Sequence, residues 1–257
     1  MKEEIFVYII GTAGSGKSTL THTFKEWMNI QGLDAITVNL DPGVEKLPYE
    51  PDVDIRDWIS LKEIMDTYDL GPNGAQIACA DMLALNTSDI KKSIESFKTD
   101  LILIDTPGQL ELFVFREAGK YIIKFLNPNK SIITYLLDPA LTKTPSGFIS
   151  QILLSLSTNF RLGLPQINIL TKTDILSEKE IEEITQWSSD PEKLENDIIN
   201  EEPSIYREMS EGLLELTKSF QNQTRIIPTN KNNYQGIEDI YTLIQMQFKG
   251  GEDLNRD

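Results

Sequence analysis

The chain has 257 residues, enough to bury a full core as one large α/β domain or one domain plus an insertion without disulfide or metal staples. Its 24 Lys and Arg against 40 Asp and Glu give a formal charge of −16, which repels phosphate backbones and anionic lipid; neither direct nucleic-acid binding nor membrane binding is expected, and a nucleotide pocket would have to be locally positive. One cysteine, Cys79, and one histidine, His22, exclude an intramolecular disulfide, a Cys-rich zinc site, a paired-thiol redox motif and any multi-His site.

The opening MKEEIFVYII starts a strand at 5–10 and lacks a signal-cleavage pattern, so the cytoplasm is the expected compartment. A glycine-rich loop follows, then a helix over 17–31 in which His22 reads as structural. A second strand covers 35–40. The stretch 41–100 is too long for a simple crossover and reads as an insertion. It holds a Pro-rich loop, a helix near 58–68 with the capping pair Ser60 and Glu63, a turn at Gly71-Pro72-Asn73-Gly74, and a helix from about 75 to 97. Strands at 101–105, 131–137, 166–170 and 225–227 alternate with helices at 109–126, 146–161 and 237–248. Six short apolar runs alternating with helical segments predict an α/β fold, a doubly wound, mostly parallel sheet with helices on both faces. The polar, acidic segment 177–222, opened by the capping pair Ser177 and Glu180, reads as a helical lid within a single domain spanning 1–257. The tail GGEDLNRD reads as disordered.

Three loops carry the chemistry. Residues 11–18 fit G-x-x-x-x-G-K-[ST] between a buried strand and a helix. In such a loop the backbone amides of Gly11, Ala13, Gly14, Ser15 and Gly16 can converge on phosphates, helped by the N-terminus of the helix that follows, with Thr19 in its first turn. Lys17 can reach the β- and γ-phosphates, and the Ser18 hydroxyl can ligate magnesium. A plain strand-to-helix turn is the bland alternative. Directly after the strand LILI comes Asp105-Thr106-Pro107-Gly108-Gln109. Asp105 can hold magnesium through water, the Gly108 N–H can contact a γ-phosphate and Gln109 can orient an attacking water, although D-T-P-G also ends strands as an ordinary turn. After the strand at 166–170 stands Thr171-Lys172-Thr173-Asp174. The Asp174 carboxylate can accept both the ring N–H and the exocyclic amine of guanine, with Lys172 along the base plane. This resembles the N/T-K-x-D element of guanine-nucleotide proteins, with Thr171 where Asn is more usual. A last purine-side loop is expected near Thr229 and Asn230, where the usual small-residue pair is degraded.

Read together with Gly71-Pro72-Asn73, these motifs resemble the GPN-loop GTPases, within the signal-recognition and MinD-like class of P-loop proteins. The likeness runs through GTAGSGKST, NLDPGVEKLPYEPDVDIRD, GPNG, DTPGQLELF and TKTD; Thr12 stands where members often carry Pro. It implies GTP and GDP with Mg2+ as ligands. It also implies Asp41 near the metal and attacking water, Gln109 positioning that water with Glu111 close behind, and a homodimer in which Asn73 reaches the partner's γ-phosphate region. Apolar positions at 58–97, among them Trp58, Leu61, Ile64, Met65, Ile77, Met82 and Leu85, exceed what one sheet face covers, in keeping with a partner surface. Two functions remain open on this reading: a dimeric nucleotide-dependent switch, or an assembly factor that holds a protein client and uses slow hydrolysis as a timer. Eukaryotic members are associated with RNA polymerase assembly. A small-molecule kinase shares the phosphate loop but not TKTD.

Overall fold

The computed structural model describes residues 4–201, 209–210, 212–214 and 224–249. Its strands are β1 (Ile5–Gly11), β2 (Ala35–Asn39), β3 (Val53–Asp54), β4 (Leu101–Asp105), β5 (Ser131–Leu137), β6 (Gln166–Leu170) and β7 (Ile226–Pro228). The helices are α1 (Lys17–Ile30), α2 (Leu61–Tyr68), α3 (Pro72–Glu95), α4 (Leu110–Phe113), α5 (Glu117–Leu126), α6 (Pro145–Leu162), α7 (Glu178–Ser189), α8 (Pro191–Ile199) and α9 (Ile237–Lys249). The strand order of the sheet is β3-β2-β4-β1-β5-β6-β7. The chain divides into two compact units: the chain up to Ile133 with Arg161–Pro165, and Thr134–Phe160 with the chain from Gln166 onward.

In the first unit β1, β2 and β4 are buried at every residue, as parallel strands covered on both faces must be. The parallel registers place Ile9 and Asn39 against Asp105, and Asn39 against Asp54. Three polar side chains, Asn39, Asp54 and Asp105, therefore share one level at the carboxyl ends of the strands, where ligands of such sheets bind. Helix α3 buries Ala75, Cys79, Ala80, Leu83, Thr87, Ile90 and Ile94, a stripe at helical spacing, and packs on α2 and α5. The exposed face is also partly apolar: Leu85 is 79% exposed and Ile77 43%, whereas Ile64 is buried. On α5, which packs against α3, stand Tyr121 and Phe125, half-exposed rings stacked at 5.9 Å.

Four expectations are corrected. There is a seventh strand, β3, inside the Pro-rich loop; at two residues it is too short to show alternation, and it forms where Asp52 ties back to Thr37, whose N–H donates to the Asp52 carboxylate at 2.7 Å. Gly71-Pro72-Asn73-Gly74 is not a free turn, because α3 begins at Pro72. Gly71 is the N-cap in extended backbone, and Pro72 sits at the first helical position, where its missing N–H costs nothing. The helix expected over 109–126 is two, broken where Arg116 takes extended backbone (φ −93°, ψ 153°). The helix expected near 58–68 begins only at Leu61, capped by the Ser60 hydroxyl accepting from the Glu63 N–H at 3.3 Å, with a 3-10 turn (Ile55–Asp57) before it.

In the second unit β6 and β7 pair in parallel from Asn168 against Ile226 to Leu170 against Pro228. Helix α7 opens on a reciprocal capping box of Ser177 and Glu180, and the Trp187 indole N–H donates to the Asp197 carboxylate of α8 at 2.7 Å. The rest of the expected segment 177–222, at 202–208, 211 and 215–222, and the tail at 250–257 lie outside the described residues.

The break between α4 and α5 generates a stability prediction. A Cβ built on Gly119 would stand 2.0 Å from the Phe113 carbonyl oxygen, so α5 meets the backbone of α4 with no room for a methyl group. Ala in place of Gly in a helix interior ordinarily gains about 0.5–1 kcal/mol. Gly119→Ala is expected to lose about 1–3 kcal/mol instead, through overpacking, as measured by urea denaturation.

Candidate functional site

The turn after β1 needs positive φ at Gly14 (73°) and Gly16 (100°). Gly16 is the N-cap of α1 and contributes no side-chain oxygen, and no acidic residue stands in the first turn. The first amides of α1 and its dipole are thus left for an anion supplied from outside. Lys17 is buried (6% exposed), and its ammonium donates to the Gly11 and Thr12 carbonyls at 2.9 Å each and to the Gly108 carbonyl at 3.2 Å. Burial lowers its pKa, with the charges of Asp105 and Asp41 working the other way.

Asp105, at the end of β4, is buried and its carboxyl is pushed up to about 6, first by desolvation, against hydrogen bonds from the Ser18 and Tyr49 hydroxyls. The Tyr49 hydroxyl donates to Asp105 Oδ2 at 3.0 Å. Burial, then the neighbouring Asp105 charge, raises the Tyr49 phenol well above its ordinary range. The next residue, Thr106, donates through its hydroxyl to the Ile9 carbonyl at 2.7 Å, which anchors the loop to β1.

Asp41 ties two loops together. Its Oδ1 accepts from the Gly43 N–H at 2.9 Å and its Oδ2 from the Gly108 N–H at 2.8 Å. Asn39 positions it, accepting from the Asp41 N–H at 3.0 Å while donating to Asp54 Oδ1 at 2.9 Å; Asp54 in turn carries the Arg56 guanidinium. The Gly108 N–H, expected to face a γ-phosphate, is therefore held by Asp41 here. Beside them lies a small cleft of about 70 Å³ lined by Asp41, Gly43, Gln76, Gly108, Gln109 and their neighbours. Gln109 Nε2 donates to Gln76 Oε1 at 2.8 Å. Asn73, Thr19 and Glu111 are exposed, and neither Asn73 nor Glu111 lines this cleft.

In the second unit the TKTD loop is pinned by its threonines. The N–H and hydroxyl of Thr171 both donate to the Leu137 carbonyl, at 3.4 and 3.2 Å, and those of Thr173 both donate to the Thr229 carbonyl, at 3.2 and 2.9 Å. Between them Lys172 takes left-handed backbone (φ 52°) and its ammonium stands 3.6 Å from Asp138 Oδ2. Thr171 thus braces the loop through Leu137, so Thr in place of Asn leaves it anchored. Asp174 is exposed. Thr229 returns its N–H to Leu170 at 2.8 Å, which places the expected last loop against TKTD; Asn230 spends its side-chain oxygen on its own turn, accepting from the Asn232 N–H at 2.8 Å.

The first unit thus brings together Gly11, Gly16, Lys17, Ser18, Asp41, Asp105, Gly108 and Gln109, and the second brings together Thr171, Lys172, Thr173 and Thr229. Three participants were missed from sequence: Asn39, Tyr49 and Gln76. Gln76 had one legible signal, its place one helical turn beyond Asn73; Tyr49 had none, because only tertiary contact returns the Pro-rich loop to β4.

A family model described as "Conserved hypothetical ATP binding protein" matches residues 9–250. The chain is 33% identical over 242 residues to GPN-loop GTPase PAB0955 of Pyrococcus abyssi, covering 93% of this chain and 95% of that one. It is 32% identical over 247 residues to GPN-loop GTPase 3 of Saccharomyces cerevisiae, covering 93% and 90%. Against GPN-loop GTPase 1 of Dictyostelium discoideum it is 28% identical over 246 residues and spans 61% of that protein's length. A crystal structure of the Pyrococcus abyssi protein in its apo form superposes with a TM-score of 0.85 at 32% identity, over 95% of this chain and 98% of that one.

The Tyr49 contact has a consequence for the ligand-free protein. Tyr49→Phe keeps the ring and deletes a donor to a buried carboxylate, a loss of about 1–3 kcal/mol. The variant is expected to unfold at lower urea concentration than the parent when no nucleotide or divalent cation is present, with an unchanged denaturant slope.

Proposed function

This chain belongs to the GPN-loop GTPase family, and from that membership we infer that it binds GTP and hydrolyses it to GDP and phosphate. The observation that carries the reading is Lys17, a buried ammonium whose three hydrogen bonds end on neutral carbonyls at the mouth of a helix that lacks a cap. A phosphate offers that ammonium charge-assisted bonds, stronger than those it gives up. We read the chain as one GTPase domain, since the family model spans nearly all of it. No helix among the described residues is long and apolar enough to cross a membrane, and we propose the cytoplasm as its compartment.

Magnesium fits the donor set. Ser18 and Asp105 are hydrogen-bonded to one another and offer hard oxygens, and Asp105 is a buried carboxylate whose ionised form burial disfavours, so a cation beside it would be favourable. Ser18, Asp105 and Asp41 would hold the ion, which would neutralise charge developing on the transferred phosphoryl group. The chain's own part is positioning. The amides from Ala13 to Thr19 and the Lys17 ammonium hold the phosphates, Gln109 orients the attacking water with Glu111 behind it, and Gly108, released from Asp41, offers its N–H to the γ-phosphate. Asp174 and Lys172 read the base, with Thr229 and Asn230 on its far side.

The family description speaks of ATP and the relatives' names of GTP; the Asp174 carboxylate matches two donors that guanine presents and adenine does not. GTP should therefore bind well ahead of ATP. Asp174→Asn is expected to weaken GTP by about 10-fold to 100-fold, the scale of hydrogen bonds to a charged group, and to favour xanthosine triphosphate, in competition titrations. Equal affinity of the parent protein for ATP and GTP would sink the assignment.

We further propose a homodimeric switch in which Asn73 acts on the partner's site. Its support is the family resemblance, the exposure of Asn73 at the start of α3, and the apolar surface of Ile77 and Leu85. Asn73→Ala and Lys17→Ala homodimers should each be nearly inactive. Mixing them should restore hydrolysis, because the nucleotide-binding subunit then receives an intact Asn73. No recovery despite demonstrated subunit exchange would refute action in trans.

A further inference from the structure

The Gln76–Gln109 pair has no part in the reading so far. Gln109 is the N-cap residue of α4 (φ −87°, ψ 119°), but its side chain makes no capping bond. It reaches across to α3 instead, where Nε2 donates to Gln76 Oε1 at 2.8 Å. Both side chains are half-buried and line the cleft that also holds Asp41 and Gly108.

We infer that Gln76 is a positioning residue for hydrolysis, which fixes the amide of Gln109 in one orientation and couples it to the helix that opens with Gly71-Pro72-Asn73. This rests on the water-orienting role of Gln109. A carboxamide has a donor end and an acceptor end of nearly identical shape, and only its oxygen can accept a proton from a water whose lone pair points at phosphorus. An unrestrained amide would sample both orientations. Here the Nε2 end is committed to the Gln76 side-chain carbonyl oxygen, and flipping the Gln109 amide alone would set two oxygens face to face with no proton between them, so reversal requires both amides to turn together. Oε1 of Gln109 is thereby kept as the free acceptor.

Gln76 is itself well held. It lies between Ala75 and Cys79, both fully buried, so the helix backbone there cannot slide without disturbing the core. A Cβ on Gly43 would come 3.7 Å from Gln76 Nε2 and 3.4 Å from Asp41 Oδ1, so Gln76 also borders the Asp41 loop. Asn73 is three residues earlier on α3, in the first turn, and the Ala75 N–H bonds back to the Gly71 carbonyl at 3.0 Å. A displacement of the first turn of α3 by anything that Asn73 contacts would therefore shift the acceptor that orients Gln109.

The test compares Gln76→Met, Gln109→Met and the double variant, since Met keeps length and bulk while deleting the amide. Gln76→Met should slow single-turnover hydrolysis at saturating GTP by about 10-fold to 100-fold, the scale of a reacting group misplaced by up to an ångström, with GDP affinity unchanged. The double variant should be no slower than Gln109→Met alone, because Gln76 acts only through Gln109. In the nucleotide-free protein, the Gln109 side-chain amide resonance, assigned by its disappearance in Gln109→Met, should shift in Gln76→Met. Parental hydrolysis by Gln109→Met would refute the role of Gln109 itself. Slow hydrolysis by Gln109→Met with parental hydrolysis by Gln76→Met would overturn the inference alone, as would multiplicative losses in the double variant. A loss of GDP affinity matching the loss of rate would make Gln76 a binding residue and overturn it equally.

Discussion

A cation held inside a protein by neutral oxygens is the constraint around which the first unit is arranged. Lys17 gives up bulk water for the carbonyls of Gly11, Thr12 and Gly108, and burial works against its charge. Those carbonyls converge because β1 ends at Gly11, because Gly14 and Gly16 take backbone angles open to glycine, and because the registers of β1 and β2 on β4 align the three strand ends. The loop after β4 is then gripped through both polar groups of one residue, the Gly108 carbonyl by Lys17 and the Gly108 N–H by Asp41. A ligand anion that captured either partner would release that grip.

The carboxylates are arranged on the same principle. Asp105 is satisfied by two hydroxyls, Ser18 and Tyr49, and Asp41 by two backbone amides, while the Lys17 ammonium attracts both carboxylates through space and hydrogen-bonds only carbonyls. Hydroxyl donors can turn away when a cation arrives, whereas a lysine or arginine partner would contest the position. This explains how a chain of charge −16 keeps a phosphate site, since the positive potential comes from one buried ammonium and an uncapped helix terminus.

Residues 41–100 belong to the same arrangement. Helix α3 packs its buried stripe on α2 and α5 while its second turn delivers Gln76 to the cleft and its first presents Asn73 outward. Helix α3 thus links an exposed position to the lining of the cleft.

Local chemistry was legible in the sequence wherever a residue's role is set by its immediate neighbours. The buried strands, the glycine turn ending in Lys17 and Ser18, the acidic end of β4 and the capping box at Ser177 all depend on spacing and backbone preference over a few residues. The contact of Thr173 with Thr229 was not legible, because the two stand 56 residues apart and each constrains nothing between them. Other features depend on which parts of the chain meet, and only the tertiary structure decided them. A two-residue β3 gains its identity from Thr37 and Asp52, and Gly119 is required by a carbonyl six residues earlier that turns back onto it. Tyr49 finds Asp105 from 56 residues away, and Gln76 finds Gln109 from 33. Such contacts leave no periodic trace, since a hydrogen bond between distant side chains constrains two positions and nothing between them.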